Sequence, residues 1–193
     1  RFDYRVAVID LPLINEKYLP EPEPAPRPAL SAGVSPVTGL RVGGYFTRGP
    51  YLNSDLDPLL PPGADWKDYK QRLVGLDVRF SRGHFEFNGD GAHSGYDVPT
   101  QSAAVRGRAF YLEPKYTWTP RLFTALRFER NDYAFIRPIS ITSWLARSVN
   151  LYDLEVGVGY RIRPDMLVKV AYRRDRWDVE EGLKPLLPNG YSF

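Results

Sequence analysis

Hydrophobic and polar residues alternate one by one along much of this chain. The clearest example is the segment 152–163, YDLEVGVGYRIR. Its even-numbered positions are apolar or aromatic, and its odd-numbered positions are charged residues or glycine. Side chains of a β-strand point alternately to opposite faces, whereas a helix would mix these residues around its surface. The pattern therefore predicts a strand with one apolar face and one polar face.

The same alternation recurs in eight other segments, so nine strands are predicted. These segments are residues 2–8, 30–35, 40–47, 74–81, 84–88, 109–118, 122–129 and 166–175. A tenth strand is expected to begin at residues 191–193. The nearest candidate for a helix, residues 65–73, is short and merges into a strand. The sequence thus predicts an all-β fold.

The predicted connections alternate between tight turns and long segments. The tight turns contain Gly, Pro or Asp and lie at residues 36–39, 82–83, 119–120 and 163–165. The long connections cover roughly residues 10–29, 48–67, 89–103, 132–149 and 177–190. Loops of this length are uncommon in compact soluble domains. Short turns at one end of the strands and long loops at the other are typical of an antiparallel up-and-down barrel in an outer membrane.

Alternation alone does not tell which face meets water, because a soluble barrel places its apolar face inside. Three observations favour an apolar face that meets lipid. This face carries hardly a charge along the strand middles, and the better strands have the length that a tilted strand needs to cross a bilayer. Its aromatic residues fall near strand ends, as expected for rings at the two membrane interfaces. They are Phe80, Tyr116, Trp118 and Tyr160 near short turns, and Phe46, Phe110, Phe128, Tyr152 and Tyr172 toward long loops.

The repeated strand–turn–strand units resemble those of the porin superfamily of Gram-negative outer membranes. Residues 108–130 (RAFYLEPKYTWTPRLFTALRFER) and 152–177 carry this resemblance, which extends over nearly the whole chain. It implies one domain over residues 1–193, a transmembrane β-barrel in the bacterial outer membrane, and contact with outer-membrane lipid and lipopolysaccharide. Nine strands is an odd number, and the chain opens directly in a strand. We therefore expect it to be part of a larger barrel with incomplete ends.

Composition narrows the chemistry that the chain can perform. The 193 residues contain no cysteine and two histidines, which excludes disulfides, thiolate metal sites and multi-histidine metal sites. The formal charge of +3 does not call for a nucleic-acid partner, and none is expected. Gly157-Val-Gly159 lacks the third glycine and the helix of a dinucleotide-binding loop. His93 next to Ser94 is a poor catalytic pair, because such groups are recognised by spatial geometry. We expect no enzyme activity, no cofactor and no metal.

The polar face supplies the candidate functional residues. Its charges are nearly balanced, and charge rings give strong selectivity only when one sign dominates. We therefore predict weak selectivity, leaning at most slightly to anions. Gly157, Gly159, Gly75, Gly43 and Ala109 on this face are expected to leave room for water or for an inserted loop. The predicted pore-lining residues are Arg5, Arg41, Asp77, Arg79, Glu113, Lys115, Arg127, Glu129, Asp153, Glu155, Arg161, Lys169 and Arg173.

Two functions remain open at this point. The first is a porin-like channel that passes small hydrophilic solutes by passive diffusion, with homo-oligomers as one form of assembly. The second is a structural or assembly barrel whose lumen is plugged and whose long loops anchor partners. Opposite charges on neighbouring strands can also pair and stiffen the wall, which would suit either function.

Overall fold

The computed structural model describes residues 1–10, 24–178 and 191–192. They form ten antiparallel strands in which each strand pairs with the next one along the chain. The strands are β1 (Phe2–Asp10), β2 (Pro26–Val37), β3 (Leu40–Pro50), β4 (Lys70–Arg82), β5 (Phe85–Tyr96), β6 (Val105–Thr119), β7 (Leu122–Ser140), β8 (Ser143–Arg163), β9 (Met166–Asp178) and the two-residue β10 (Tyr191–Ser192). The predicted all-β, up-and-down meander is confirmed.

The sheet is open within the described residues. The first strand pairs with β2, and β10 pairs with β9, but β1 and β10 do not pair with each other. The described chain is therefore an antiparallel sheet that is not closed as a barrel.

Two of the predicted long loops are wrong. Residues 132–149 are the upper part of a long hairpin, since β7 continues to Ser140 and β8 begins at Ser143. Residues 89–103 are mostly strand as well, because β5 continues to Tyr96. Hydrogen bonds of the ladder hold these segments in the sheet although their side chains do not alternate cleanly. The predicted loops 10–29 and 177–190 fall largely outside the described residues.

The segment between β3 and β4 is a true loop and carries the main buried cluster. It contains two short 3₁₀ helices, Ser54–Leu59 and Trp66–Asp68. Its apolar side chains meet Ala25 just before β2, Trp144 on β8 and Val98 in the β5–β6 connection, and we call this cluster the loop core. The loop core consists of Ala25, Tyr51, Leu52, Leu60, Trp66, Val98 and Trp144. The buried core thus lies at the long-loop end of the sheet, where Trp144 Nε1 donates a hydrogen bond to the Leu59 carbonyl at 3.3 Å.

Candidate functional site

All thirteen predicted pore-lining residues lie on one face of the sheet, which we call the polar face. The register shows this directly: Arg41 pairs with Arg79, and Arg127 pairs with Glu155, which in turn pairs with Arg173. Paired residues of neighbouring strands point to the same side of a sheet. The structure therefore brings the predicted residues together on one continuous surface.

Carboxylates form a row across the polar face. Asp77 pairs with Asp90, and Glu129 pairs with Asp153, which pairs with Asp175. Asp3 joins the same row through Gly33 and Gly43. Asp90 and Asp175 are additions to the predicted set, and both add negative charge to a face for which the sequence indicated a slight excess of basic residues.

Three arginines from the next row reach into this acidic row, and each bridges two carboxylates. Arg41 contacts Asp77 and also Asp3, the latter at 2.7 Å. Arg173 lies 2.7 Å from both Asp153 and Asp175. Arg127 lies 3.0 Å from Glu129 and 3.5 Å from Glu113, and Lys115 lies 3.1 Å from Glu86. These contacts make the wall a network of paired charges.

The remaining predicted basic residues are not paired in this way. Arg5, Arg79, Arg161 and Lys169 have no carboxylate of the described chain within ion-pairing distance. Asp153 is the most buried member of the acidic row, with 5% exposure, and its Oδ1 has no hydrogen-bond partner within the described residues. Unpaired basic side chains thus remain available on the polar face, together with one buried carboxylate oxygen.

The glycines of the polar face are only partly open. The Phe123 ring lies across Gly159, and the Tyr45 ring lies across Gly75, so an added Cβ at either glycine would overlap the ring. Arg41 and Asp77 cover Gly43 in the same way. For Gly43, Gly75 and Gly159 the expectation of free space is therefore wrong. Gly157 does face free space, since a Cβ added there would lie 3.8 Å from its nearest neighbours, which are atoms of residues 170 and 171.

The long-loop end of the polar face is covered by the segment after β3. Arg27 on β2 is 1% exposed, and its Nη2 donates to Gln71 Oε1 at 2.5 Å while its Nε donates to Thr47 Oγ1 at 2.8 Å. The Tyr51 ring contacts Tyr96 edge-on at 5.1 Å, and its hydroxyl donates to the Asp97 carbonyl at 2.8 Å. Burial raises the pKa of Tyr51 well above its usual value, and the nearby Asp97 adds to this effect.

The opposite face, which we call the apolar face, is not covered by any part of the described chain. Its large side chains are well exposed, for example Tyr4 at 71% and Leu76 at 69%. Aromatic pairs occur at both of its ends. Tyr116 contacts Trp118 at 4.7 Å near the short turns, and Phe110 contacts Phe128 at 5.8 Å toward the long loops.

Seven arginines on the apolar face were not identified from the sequence. They lie beyond the aromatic residues at the long-loop end, and we call them the arginine row: Arg48, Arg72, Arg106, Arg108, Arg130, Arg174 and Arg176. A sequence signal was present, because several lie two positions from an aromatic residue of the same face. Examples are Phe46 and Arg48, Phe128 and Arg130. Alternation alone does not reveal these residues, because an arginine interrupts the apolar pattern.

The histidine–serine neighbours do not form a site. Residues 88–95 lie inside β5 and not at a loop tip, so His93 points to the apolar face and Ser94 to the polar face. Within residues 1–10, 24–178 and 191–192, no group of three or more metal-ligating side chains comes together. No helix in that same part of the chain is long and apolar enough to cross a membrane.

Compared with known proteins, the chain matches no protein-family model and no curated protein sequence. Functional assignment therefore depends on the two faces of the sheet.

Proposed function

We propose that this sheet is part of a Gram-negative outer-membrane β-barrel of porin type, which passes small hydrophilic solutes by passive diffusion with weak selectivity. In this proposal the apolar face meets lipid and the polar face lines the lumen. Further strands close the barrel, since a closed barrel leaves no backbone group unpaired in lipid.

The observation that carries the proposal is the uncovered apolar face. A soluble protein rarely leaves a large continuous apolar surface exposed to water. Here that surface extends over the nine long strands, while the main buried core lies elsewhere, beneath the segment after β3. Lipid is the environment that would cover such a face in the absence of another layer of protein.

The height of the apolar band supports the same proposal. On β6 it extends from Arg108 to Trp118, with only apolar, aromatic and proline residues between them on that face. Ten residues at about 3.3 Å each, tilted by about 40°, span about 25 Å, which is the height of the apolar band of outer-membrane barrels.

The polar face supports a water-filled lumen with weak selectivity. Acidic and basic side chains are mixed along it, and most of them neutralise each other in pairs. A wall of this kind solvates small polar solutes without strongly favouring one sign of charge. Outer-membrane lipid and lipopolysaccharide are the partners that the outer surface then meets.

Single-channel conductance of the full-length protein in planar bilayers tests the proposal. Stepwise conductance with a permeability ratio for K⁺ and Cl⁻ close to one is the expected result. Folded protein that inserts into the bilayer but conducts no ions would rule out the channel. A chain that folds as a monomer in water without detergent would reverse the assignment of the two faces.

The loop core favours a second candidate, a barrel with a plugged lumen that anchors partners through its loops. The segment 51–69 packs against the long-loop end of the polar face and is tied to the β7–β8 hairpin by Trp144. Such a cap narrows the opening on that side. Insertion without conductance, together with conductance after deletion of residues 53–65, would support this candidate.

A further inference from the structure

The arginine row crosses the apolar face at its long-loop end, from β3 to β9. Arg48 pairs with Arg72, Arg72 pairs with Gly95, and Gly95 pairs with Arg106. The three arginines therefore lie in one row of the ladder. From β6 to β9 the arginines then move stepwise toward the short turns, from Arg108 to Arg130, Arg176 and Arg174. Strands of a barrel are tilted and staggered, so a level line crosses the ladder rows in just such a stepwise manner.

Most of these arginines have no acidic partner. Arg130 is paired with Asp132 at 3.1 Å, but the other six have no carboxylate of the described chain within ion-pairing distance. All six are exposed. The acidic groups nearest to the row in the ladder are Asp132 and Asp178, with Asp97 close to Arg48 and Arg72 across a small pocket. The row therefore carries a net positive charge.

Aromatic rings lie within or just below the row. Arg72 lies over the Phe46 ring at 5.8 Å, and Arg130 lies over the Tyr152 ring at 5.2 Å. Aromatic residues mark the boundary between hydrocarbon and headgroups in membrane barrels. The guanidinium groups therefore lie at the height of the lipid headgroups, if the sheet is oriented as proposed above.

A groove of about 610 Å³ begins below two of these arginines and extends into the apolar face. Its lining includes Arg106, Arg108, Val74, Leu76, Gly91 and Phe110. Gly91 has no side chain to fill it, and the nearest atom to an added Cβ is Phe110 Cβ at 3.8 Å. The groove is thus basic at one end and apolar along its length. This combination suits an amphiphile, which has a charged head and an apolar chain.

We propose that the arginine row binds the phosphate groups of anionic membrane lipids, and that the groove beside Gly91 holds an acyl chain of one such lipid. Arginine binds phosphate oxygens through two parallel hydrogen bonds, so the row is chemically suited to this headgroup. The proposal deepens the proposed function and rests on its orientation of the sheet in the membrane.

The test counts lipids bound to the detergent-solubilised full-length protein by native mass spectrometry. The probes are dioleoylphosphatidylglycerol and dioleoylphosphatidylcholine, which have the same chains and differ in headgroup charge. The double variant Arg106→Gln with Arg108→Gln is expected to weaken phosphatidylglycerol binding about tenfold or more, because each basic residue near an anionic surface contributes to the affinity.

A matched control is available at the other end of the sheet. Arg121 lies in the short turn between β6 and β7, and Arg163 ends the neighbouring β8, where Arg161 donates its backbone N–H to the Arg121 carbonyl at 2.7 Å. The double variant Arg121→Gln with Arg163→Gln removes the same charge and should bind phosphatidylglycerol like the original chain. Equal losses in the two double variants would overturn the proposal, since net charge alone would then explain binding.

The variant Gly91→Leu tests the groove separately. Leucine fills the space next to Phe110 without overlapping the backbone, so binding of the dioleoyl lipid should fall while binding of dihexanoylphosphatidylglycerol should persist. Equal retention of both lipids would overturn the acyl-chain part. Displacement of the lipid by millimolar inorganic phosphate would show that the arginines take free phosphate and would overturn the lipid assignment.

The outcomes also separate this inference from the proposed function. A protein that conducts in planar bilayers but binds both headgroups equally would overturn the lipid site and leave the channel intact. Selective lipid binding without conductance would support the lipid site and favour the plugged barrel.

Discussion

At the scale of single residues, the polar face is built from cross-strand pairs of one small and one large side chain. Phe123 is paired with Gly159, and Tyr45 is paired with Gly75. In both pairs the far end of the ring covers the glycine, and with it backbone that would otherwise be exposed. The Tyr45 hydroxyl then donates to Asp90 at 2.8 Å, so the pair also holds one member of the acidic row in place.

These pairs set apart two glycines that look equivalent in the sequence. Gly159→Ala should destabilise the folded protein by about 1–3 kcal/mol, because the new methyl group displaces the Phe123 ring. Gly157→Ala, two residues earlier on the same face, should cost much less, since only atoms at 3.8 Å surround it. Urea unfolding followed by tryptophan fluorescence measures both changes. Equal effects would contradict the assigned position of the ring.

The alternating pattern was sufficient to place the thirteen charged residues on one face, because strand geometry alone decides which side a residue faces. It did not show that Phe123 would cover Gly159, since that depends on the register between β7 and β8. Ion pairs such as Arg41 with Asp3 also depend on register. They join residues that are far apart in the sequence, so no local pattern predicts them.

At the scale of elements, the long-loop end is where sequence and structure differ most. Residues 132–149 lack regular alternation and include Pro138, so they were interpreted as a loop. Pairing of β7 with β8 nevertheless continues through Pro138, which faces Trp144. Trp144 contributes to the loop core, so contacts between distant segments stabilise strands that the local pattern does not predict.

The loop core should behave as a packed unit whose stability depends on particular side chains. Leu60 is 4% exposed, whereas its neighbour Leu59 is 36% exposed. Leu60→Ala should destabilise the segment 51–69 by about 2–5 kcal/mol, and Leu59→Ala by much less. Hydrogen exchange of residues 51–69 compares the two variants. Similar protection in both would mean that this packing is not what orders the segment.

Alkaline pH should weaken the same unit. Tyr51 has a raised pKa in the folded protein, so its hydroxyl ionises in the unfolded state first. Above about pH 10 stability should therefore fall as pH rises, by up to about 1.4 kcal/mol per unit for this group. Burial raises the pKa of Tyr69 as well, which adds to the trend.

The variant Tyr51→Phe separates the contribution of the hydroxyl. Near neutral pH it should be less stable by about 1 kcal/mol, because the hydrogen bond to the Asp97 carbonyl is lost. At alkaline pH the difference should shrink and then reverse. Parallel stability curves for the two proteins between pH 8 and 11, measured as unfolding midpoints, would contradict the buried position of Tyr51.

At the scale of the whole molecule, the two faces give opposite roles to similar residues. Arg127 lies on the polar face between Glu113 and Glu129, and Arg130 lies on the apolar face beside Asp132. They are three positions apart on the same strand. The sequence pattern assigns residues to two faces but does not tell which face meets water. A soluble barrel would show the same alternation with the faces exchanged.

Neutralising these two arginines tests which face lines the lumen. Arg127→Gln should raise the permeability ratio of K⁺ to Cl⁻ about fourfold, since a unit charge at about 10 Å in water contributes about 0.4 kcal/mol of opposite sign to each ion and therefore about 0.8 kcal/mol to the ratio. Arg130→Gln should leave the ratio unchanged. Reversal potentials in a KCl gradient provide the measurement, and a larger effect of Arg130→Gln would mean that the faces are exchanged.

The meander topology also governs how the chain reaches this structure. Every strand pairs with its sequence neighbours, so each hairpin closes a loop of limited length before the next strand is added. Contact order is therefore low for a β-protein, and closing each loop costs little chain entropy. The longest hairpin, β7–β8, turns through two residues, and we expect it to form first and to be the nucleus for growth in both directions.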